Sequence, residues 1–573
     1  MHSRHIEPGV RILNRRITVP TTESYLMRPI RLAFLIATGL GSIGTSRPII
    51  AQTSRVTMSD FSAGSDYEQY LRAAQIGGIA PLYPWSIRSF SRREIERLVT
   101  ADTTGPWKLG SRFSKSEFAL GSLDLGGVFN SSYPYGANDG PLWAGRGLTV
   151  AASGSVSGFF GPFSFALAPM AFTTTNSSFE LLPNGQTGAA RYNHGTYPTS
   201  IDLPQRFGAG SYSQGDPGNS YFRFDTRWIA AGISTANEWI GPATEFPFLL
   251  GNNAPGIAHL FLGSGNPWNI GIGHLHARVM WGKLFQSDFS PVTGGERYIS
   301  STVTGTIRLM ASGEAVFVPR GIAGLELGVA RFFHIPYGED QPNSSFWTKP
   351  FRIFFYRNEL AQGDVTASDN QLASIFFRWA FPRAGLEIYG ERGYEDQFYD
   401  FREFVENLDH DREYMLGFQK ILRKREASFD VLRAELVNYQ ISTLRYTRPN
   451  EGFVYVHSRL RQGHTNRGQL LGAYPGAGNA AGSVLAWSRY SPHAQTTFSM
   501  RRIVRDQIGE FDKTGIVTEN VSDVIVALGA ERTQYGTYMD FGGRIQVMDD
   551  LNRNFSSDVG NLNLQLSLRL HQK

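Results

Sequence analysis

Three stretches carry side chains of the types that do chemistry. GHLHA (273–277) sets His274 and His276 two residues apart. On a strand that spacing puts both imidazoles on one face, as two metal ligands would need. No third histidine or carboxylate is near in sequence, so the pair reads as lumen or interface histidines and no metal is expected. GSVSG (154–158) is similar in composition to a nucleophile elbow, which needs a strand, a sharp turn and a helix. Its central residue is Val156, it lies inside the small-residue run LTVAASGSVSGFF, and no helical pattern follows, so Ser157 is not read as a nucleophile. In ENLDHDREY (406–414), His410 stands between Asp409 and Asp411. A carboxylate can orient a histidine as a general base, but the setting reads more simply as a solvated turn. No phosphate-binding loop, zincin motif or dinucleotide fingerprint occurs, so neither an enzyme nor a cofactor is expected.

The elements that must position such residues follow from composition and period. The chain has 573 residues, 13% aromatic, with 62 glycines and no cysteine. Disulfide frameworks, thiolate zinc sites and cysteine nucleophiles are thereby excluded. Met27 to Arg31 is a short basic region, and LAFLIATGLGSIG (32–44) is an apolar run of secretory length. Residues 1–51 read as a leader cleaved after Ala51, with Met27 as the expected initiator. Taking its seven arginines and two glutamates from 55 basic and 50 acidic residues leaves 48 of each. A balanced chain has no basic excess to attract nucleic acid.

Residues 52–110 read as a helical unit. YEQYLRAAQI (67–76) stops at Gly77-Gly78, and Ser91 with Glu94 forms a capping box ahead of a second helix over 91–99. Residues 111–573 change to a period of two. In NLNLQLSLRLH (561–571) leucine fills every second place and Asn, Gln, Ser, Arg and His fill the rest. MDFGGRIQV (539–547), YFRFDTRWI (221–229) and LEIYGE (386–391) alternate likewise. About 16–18 such runs, often 9–12 residues long, suit tilted membrane strands. Their polar faces carry both signs of charge, and aromatics gather near strand ends, as in FFRWAF (376–381) and FRIFFY (351–356). The pattern predicts an all-β fold, a transmembrane antiparallel β-barrel, with a soluble sandwich as the competing reading.

Several ordered segments are similar to the Wzi family of outer-membrane capsule assembly proteins. They are DYEQYLRAAQIGGIAPLYPWSIRSFSRREIERLV (66–99), NEWIGPATEFPFLLGNNAPG (237–256), EIYGERGYEDQF (387–398), ENLDHDREYMLGF (406–418) and GHTNRGQLLG (463–472). The resemblance implies a barrel of about 18 strands whose periplasmic mouth is closed by the helical unit. It implies a lectin-like role, holding capsular or other exopolysaccharide at the cell surface in the outer membrane of a Gram-negative-type bacterium. Two departures stand out: Ile240 takes the place of one aromatic in a Trp-Gly-Pro run, and the chain ends on Lys573 rather than an aromatic.

Sugar sites combine flat aromatic faces with planar amides, carboxylates and guanidinium forks. The expected carbohydrate-binding residues are Glu238, Trp239, Asn252, Asn253, Trp347, Tyr192 and Arg191. The last three lie in two expected extracellular loops, 177–219 and 338–350. Residues 237–256 carry Pro242, Pro247 and Pro255, so they are no central strand. They are expected to fold into the lumen or rim it, following a strand over 221–235 and preceding another at about 270–282. A monomer in contact with outer-membrane lipid is expected. The alternatives are a diffusion channel and, behind it, a barrel-embedded hydrolase using His410 or Ser157.

Overall fold

The computed structural model describes residues 56–290, 307–337, 342, 344–352, 370–395, 412–440, 453–457, 460–508 and 521–571. The expected leader, FRIFFY beyond residue 352 and the Asp409–Asp411 cluster lie outside the described residues.

Among the described residues the strands close into one antiparallel barrel of 18. They are β1 (Phe118–Asn130), β2 (Gly147–Phe160), β3 (Phe163–Leu167 and Met170–Thr174), β4 (Tyr212–Asp216 and Tyr221–Asp225), β5 (Ile229–Ser234) and β6 (Ala258–Ser264). Next come β7 (Gly273–Phe285), β8 (Ile307–Pro319), β9 (Leu325–Pro336), β10 (Asn370–Phe381), β11 (Leu386–Glu395) and β12 (Arg412–Arg425). The wall ends with β13 (Ser428–Asn438), β14 (Ala481–Ser491), β15 (Ala494–Ile508), β16 (Val521–Tyr535), β17 (Met539–Arg553) and β18 (Ser557–Leu570). Each strand pairs with its sequence neighbours, and β1 pairs with β18 to close the ring.

The direction of the alternation separates a membrane barrel from a sandwich. Leu566 is 60% exposed while Asn563 is fully buried, and Phe541 is 55% exposed beside Asp540 at 3%. Phe222 and Leu416 face out in the same way, while Arg223 and Glu413 are buried. A soluble sandwich buries its apolar face. Here hydrocarbon faces outward and charge faces inward, as lipid requires.

Three expected boundaries are corrected. Residues 221–235 are two strands, because Thr226 Oγ1 accepts from the amides of Trp228 and Ile229 and turns the chain. The expected loop 177–219 ends earlier, since Tyr212–Asp216 pairs with Met170–Thr174 as the upper half of β4. Both β3 and β4 are interrupted beside a proline, Pro169 and Pro217, which has no amide to give to the ladder. The strand expected after the insertion, at about 270–282, is preceded by β6 and itself runs Gly273–Phe285.

Two helices of more than one turn, α1 (Asp66–Ile76) and α2 (Arg92–Ala101), precede the wall among the described residues. Ser65 caps α1, and the Ser91/Glu94 capping box forms at α2. This unit sits at the mouth made by the short turns. Lys424 at the end of β12 donates to the Gly77 carbonyl, and the Trp107 indole donates to the Ser491 carbonyl at the β14–β15 turn. Trp107 stacks on Tyr70 at 4.3 Å and meets Tyr490 and Tyr535 edge-on. Long connections such as 175–211 and 235–257 leave from the opposite end.

Candidate functional site

The lumen is filled from both ends. Residues 237–256 leave β5 at the long-loop end and run inward until Trp239–Ile240 pairs with Ile87–Arg88 of the helical unit. Arg72 donates to the Pro242 carbonyl and Arg88 to the carbonyls of Gly241 and Ala243. The wall grips the same segment. The Glu435 carboxylate accepts from the amides of Thr244 (2.7 Å), Glu245 (3.0 Å) and Phe246 (2.7 Å), and from the Tyr389 hydroxyl (2.7 Å). Glu245 pairs with Arg433 at 2.6 Å and Arg501 at 3.4 Å. Phe246, Phe248, Leu249 and Leu250 pack with Leu470, Leu471 and the wall residues Met310, Met415 and Val484 in one buried apolar cluster. Beneath it, Arg72 and Arg378 share Glu387, and Arg378 also meets Glu326. Irregular backbone at membrane depth is tolerated where protein buries it, and this plug meets that condition.

Burial in the plug sets its ionisation. Burial pushes the Glu238 carboxyl up, but Arg278, His259 and the Ser89 amide more than offset it and hold it near about 2. Burial drives the His464 imidazole down to about 3; its Nε2 contacts the Leu249 carbonyl at 2.6 Å, which opposes the shift only in part. Neutral His464 therefore stitches the 460–480 loop to the plug.

Above the plug the loops form a layer. Asn252 donates to the Asn138 carbonyl at 3.0 Å, and Asn253 to the Leu470 carbonyl at 3.3 Å. Over that layer Trp143, Phe207, Tyr212 and Phe289 form an aromatic shelf, with centroids 4.6 Å (Trp143–Phe207), 5.0 Å (Phe207–Tyr212) and 5.3 Å (Tyr212–Phe289) apart. Phe207 is buried while the other three are half-buried. Asn176 fixes the turn beneath by donating to the carbonyls of Phe207, Gly208 and Gly210. Arg467 pairs with Asp216 at 2.9 Å at the inward end of Tyr212–Asp216. Asp202 accepts from the Ser287 amide and hydroxyl, and burial still raises its carboxyl to about 6.

The family described as capsule assembly protein Wzi matches residues 143–552. The chain belongs to the Wzi family. Among solved structures it is similar to Wzi of Escherichia coli, described as an outer membrane protein involved in group 1 capsule assembly and a carbohydrate-binding β-barrel. That match has 12% identity and a TM-score of 0.58, and covers 89% of this chain and 99% of the other. Pseudomonas aeruginosa OpdQ follows at 11% identity and a TM-score of 0.38, covering 79% and 99%. No curated protein matches the sequence.

Within this Wzi-family barrel the seven expected site residues do not form one site. Glu238 and Trp239 are buried in the plug. Arg88 lies 4.6 Å from the Trp239 ring centroid and Gly64 lies against the ring, so its faces are taken by protein. Asn252 and Asn253 hold loops together. Tyr192 is buried with its hydroxyl on Arg191, which is exposed. Trp347 is elsewhere, on the outward wall 5.8 Å from Trp281. The shelf was not among the expected residues; the signal for it is a tryptophan in the Gly/Pro-rich loop GANDGPLWAGRG. His274 and His276 share a lumen-facing register, but His276 is bonded to Ser264, and among the described residues no three metal-ligating side chains converge. Ser157 lies in mid-strand in β2.

Proposed function

We propose that this Wzi-family protein binds capsular or other exopolysaccharide on the outer face of the outer membrane and anchors it there, as a lectin-like protein and not an enzyme. It reaches that membrane through the leader at 1–51 and works as a monomer. The observation that carries the reading is the half-buried shelf of Trp143, Tyr212 and Phe289 over a closed lumen. A flat aromatic face covers the apolar face of a sugar ring, and guanidinium and amide groups pair with its hydroxyls. The Arg467–Asp216 pair and exposed Arg191 supply such groups in the surrounding loops. The carbohydrate-binding description of the Escherichia coli relative supports the same reading.

The test is titration of the purified barrel with polysaccharide from a capsule-producing cell. Saturable binding is expected, weakened about tenfold in Trp143→Ala with Tyr212→Ala, the scale of two lost aromatic contacts. Binding that this variant leaves untouched would remove the shelf from the account. The channel reading is opposed by the plug, and planar-bilayer recording of the wild type should give no large steady conductance.

A further inference from the structure

The outward wall carries a feature that neither plug nor shelf explains. Ser344–Thr348 and Lys349–Arg352 fold back onto the lipid-facing side of the barrel. Phe346 is buried against Leu309, Phe333 and Ile335. Gly313, at an outward place on β8, makes room: a side-chain carbon there would come 2.5 Å from the Pro350 carbonyl oxygen. The segment leaves Trp347 44% and Phe351 60% exposed, pointing away from the lumen.

Beside it runs an open trough of about 770 Å³. Phe222, Ile233, Leu260, Trp281, Trp347 and Lys283 line it. Phe222, Ile233, Leu260 and Trp281 are outward residues of β4 to β7 paired in one register, so the trough lies at hydrocarbon depth. Lys283 stands exposed toward the long-loop end of β7, its ammonium 5.5 Å from the Tyr337 ring. Among the described residues that line the trough, Lys283 is the one lysine or arginine and none is a carboxylate.

We propose that this trough is a specific site for an anionic lipid of the outer leaflet, with an acyl chain along Phe222, Ile233 and Leu260 and a phosphate on Lys283. The apolar channel suits a hydrocarbon chain, and the Lys283 ammonium at its rim favours a negative headgroup over a zwitterionic one.

Native mass spectrometry of the detergent-purified full barrel, with dioleoylphosphatidylglycerol or dioleoylphosphatidylcholine added at equal concentration, tests the site. One phosphatidylglycerol should stay bound under activation that strips phosphatidylcholine. Lys283→Glu should lower the retained fraction about fivefold or more, the scale of one cation at an anionic surface. Leu260→Trp and Ile233→Trp should lower it by filling the trough. Heat-modifiable migration on gels, unchanged in Lys283→Glu, would show that the barrel still assembles. Equal retention of both lipids, retention unchanged in Lys283→Glu and in both filled-trough variants, or a dimer seated there in place of lipid would each overturn the proposal.

Discussion

The plug at 237–256 and the loop layer over 177–211 are both long, irregular insertions between wall strands. They carry similar residues: tryptophan or tyrosine, asparagine, glutamate or arginine. The plug spends its polar groups on the protein itself. Glu238 accepts from Ser89 and Arg278, and Glu435 caps three successive plug amides. In the outer layer Trp143, Tyr212 and Phe289 of the aromatic shelf stay half-buried and Arg191 exposed. Residue type alone therefore does not mark a binding site in a barrel. What decides is whether the surrounding wall has already satisfied the group.

That contrast can be broken at several points, and Glu435→Ala should have the largest effect. It leaves the amides of Thr244, Glu245 and Phe246 buried without an acceptor. A loss of about 3–5 kcal/mol is expected, read as a lower melting temperature and the appearance of conductance in planar bilayers. Glu238→Gln comes next. Arg278 would stay buried without its countercharge, at a cost of about 3 kcal/mol in the same melt.

Acid should act on the plug in the same direction. The folded Glu238 carboxyl lies near about 2 against an ordinary 4.5, and folded His464 near about 3 against 6.5. Both folded values are depressed, so the unfolded chain binds more protons between the paired values. The stability they contribute is complete above pH 6.5 and falls as pH drops, first through His464 below 6.5 and then through Glu238 below 4.5. Melting temperatures at pH 7 and pH 4 should differ, and His464→Gln should shrink the upper part of that difference. A pH dependence unchanged in His464→Gln would show that this imidazole does not hold the plug.

The smaller effects belong to the outer layer and should fall on binding rather than stability. Trp143→Ala is expected to weaken polysaccharide binding by several-fold and to shift the melt by little more than about 1 kcal/mol, because the ring is half-buried. Arg191→Ala should leave the melt unchanged and weaken binding least, as its guanidinium is exposed and rests on Tyr192 at 4.7 Å.

Much of the wall was legible because a barrel strand writes its position into a period of two. The leucines of 562–570 and the polar residues between them read directly as outward and inward faces. The capping box at Ser91 and Glu94 was equally local. The breaks in β3 and β4 were less visible, since Pro169 and Pro217 interrupt the ladder without ending the wall. That 237–256 leaves the wall was legible from its three prolines, which forbid a central strand, while filling the lumen and rimming it stayed equally open. Its partners were not, because Arg72, Glu435 and Arg278 come from distant parts of the chain. The shelf had no period to reveal it: Trp143, Phe207, Tyr212 and Phe289 meet only after three loops fold together. Trp347 was read as a loop aromatic, and only the packing of Phe346 against Phe333 turns its segment onto the outer wall.

The most direct measurement is the polysaccharide affinity of Trp143→Ala with Tyr212→Ala, beside that of Trp239→Phe, all with the barrel assembled. The account predicts affinity about tenfold weaker in the shelf variant and close to wild type in the plug variant. Full affinity in the shelf variant, with loss in Trp239→Phe, would contradict it and return recognition to the plug.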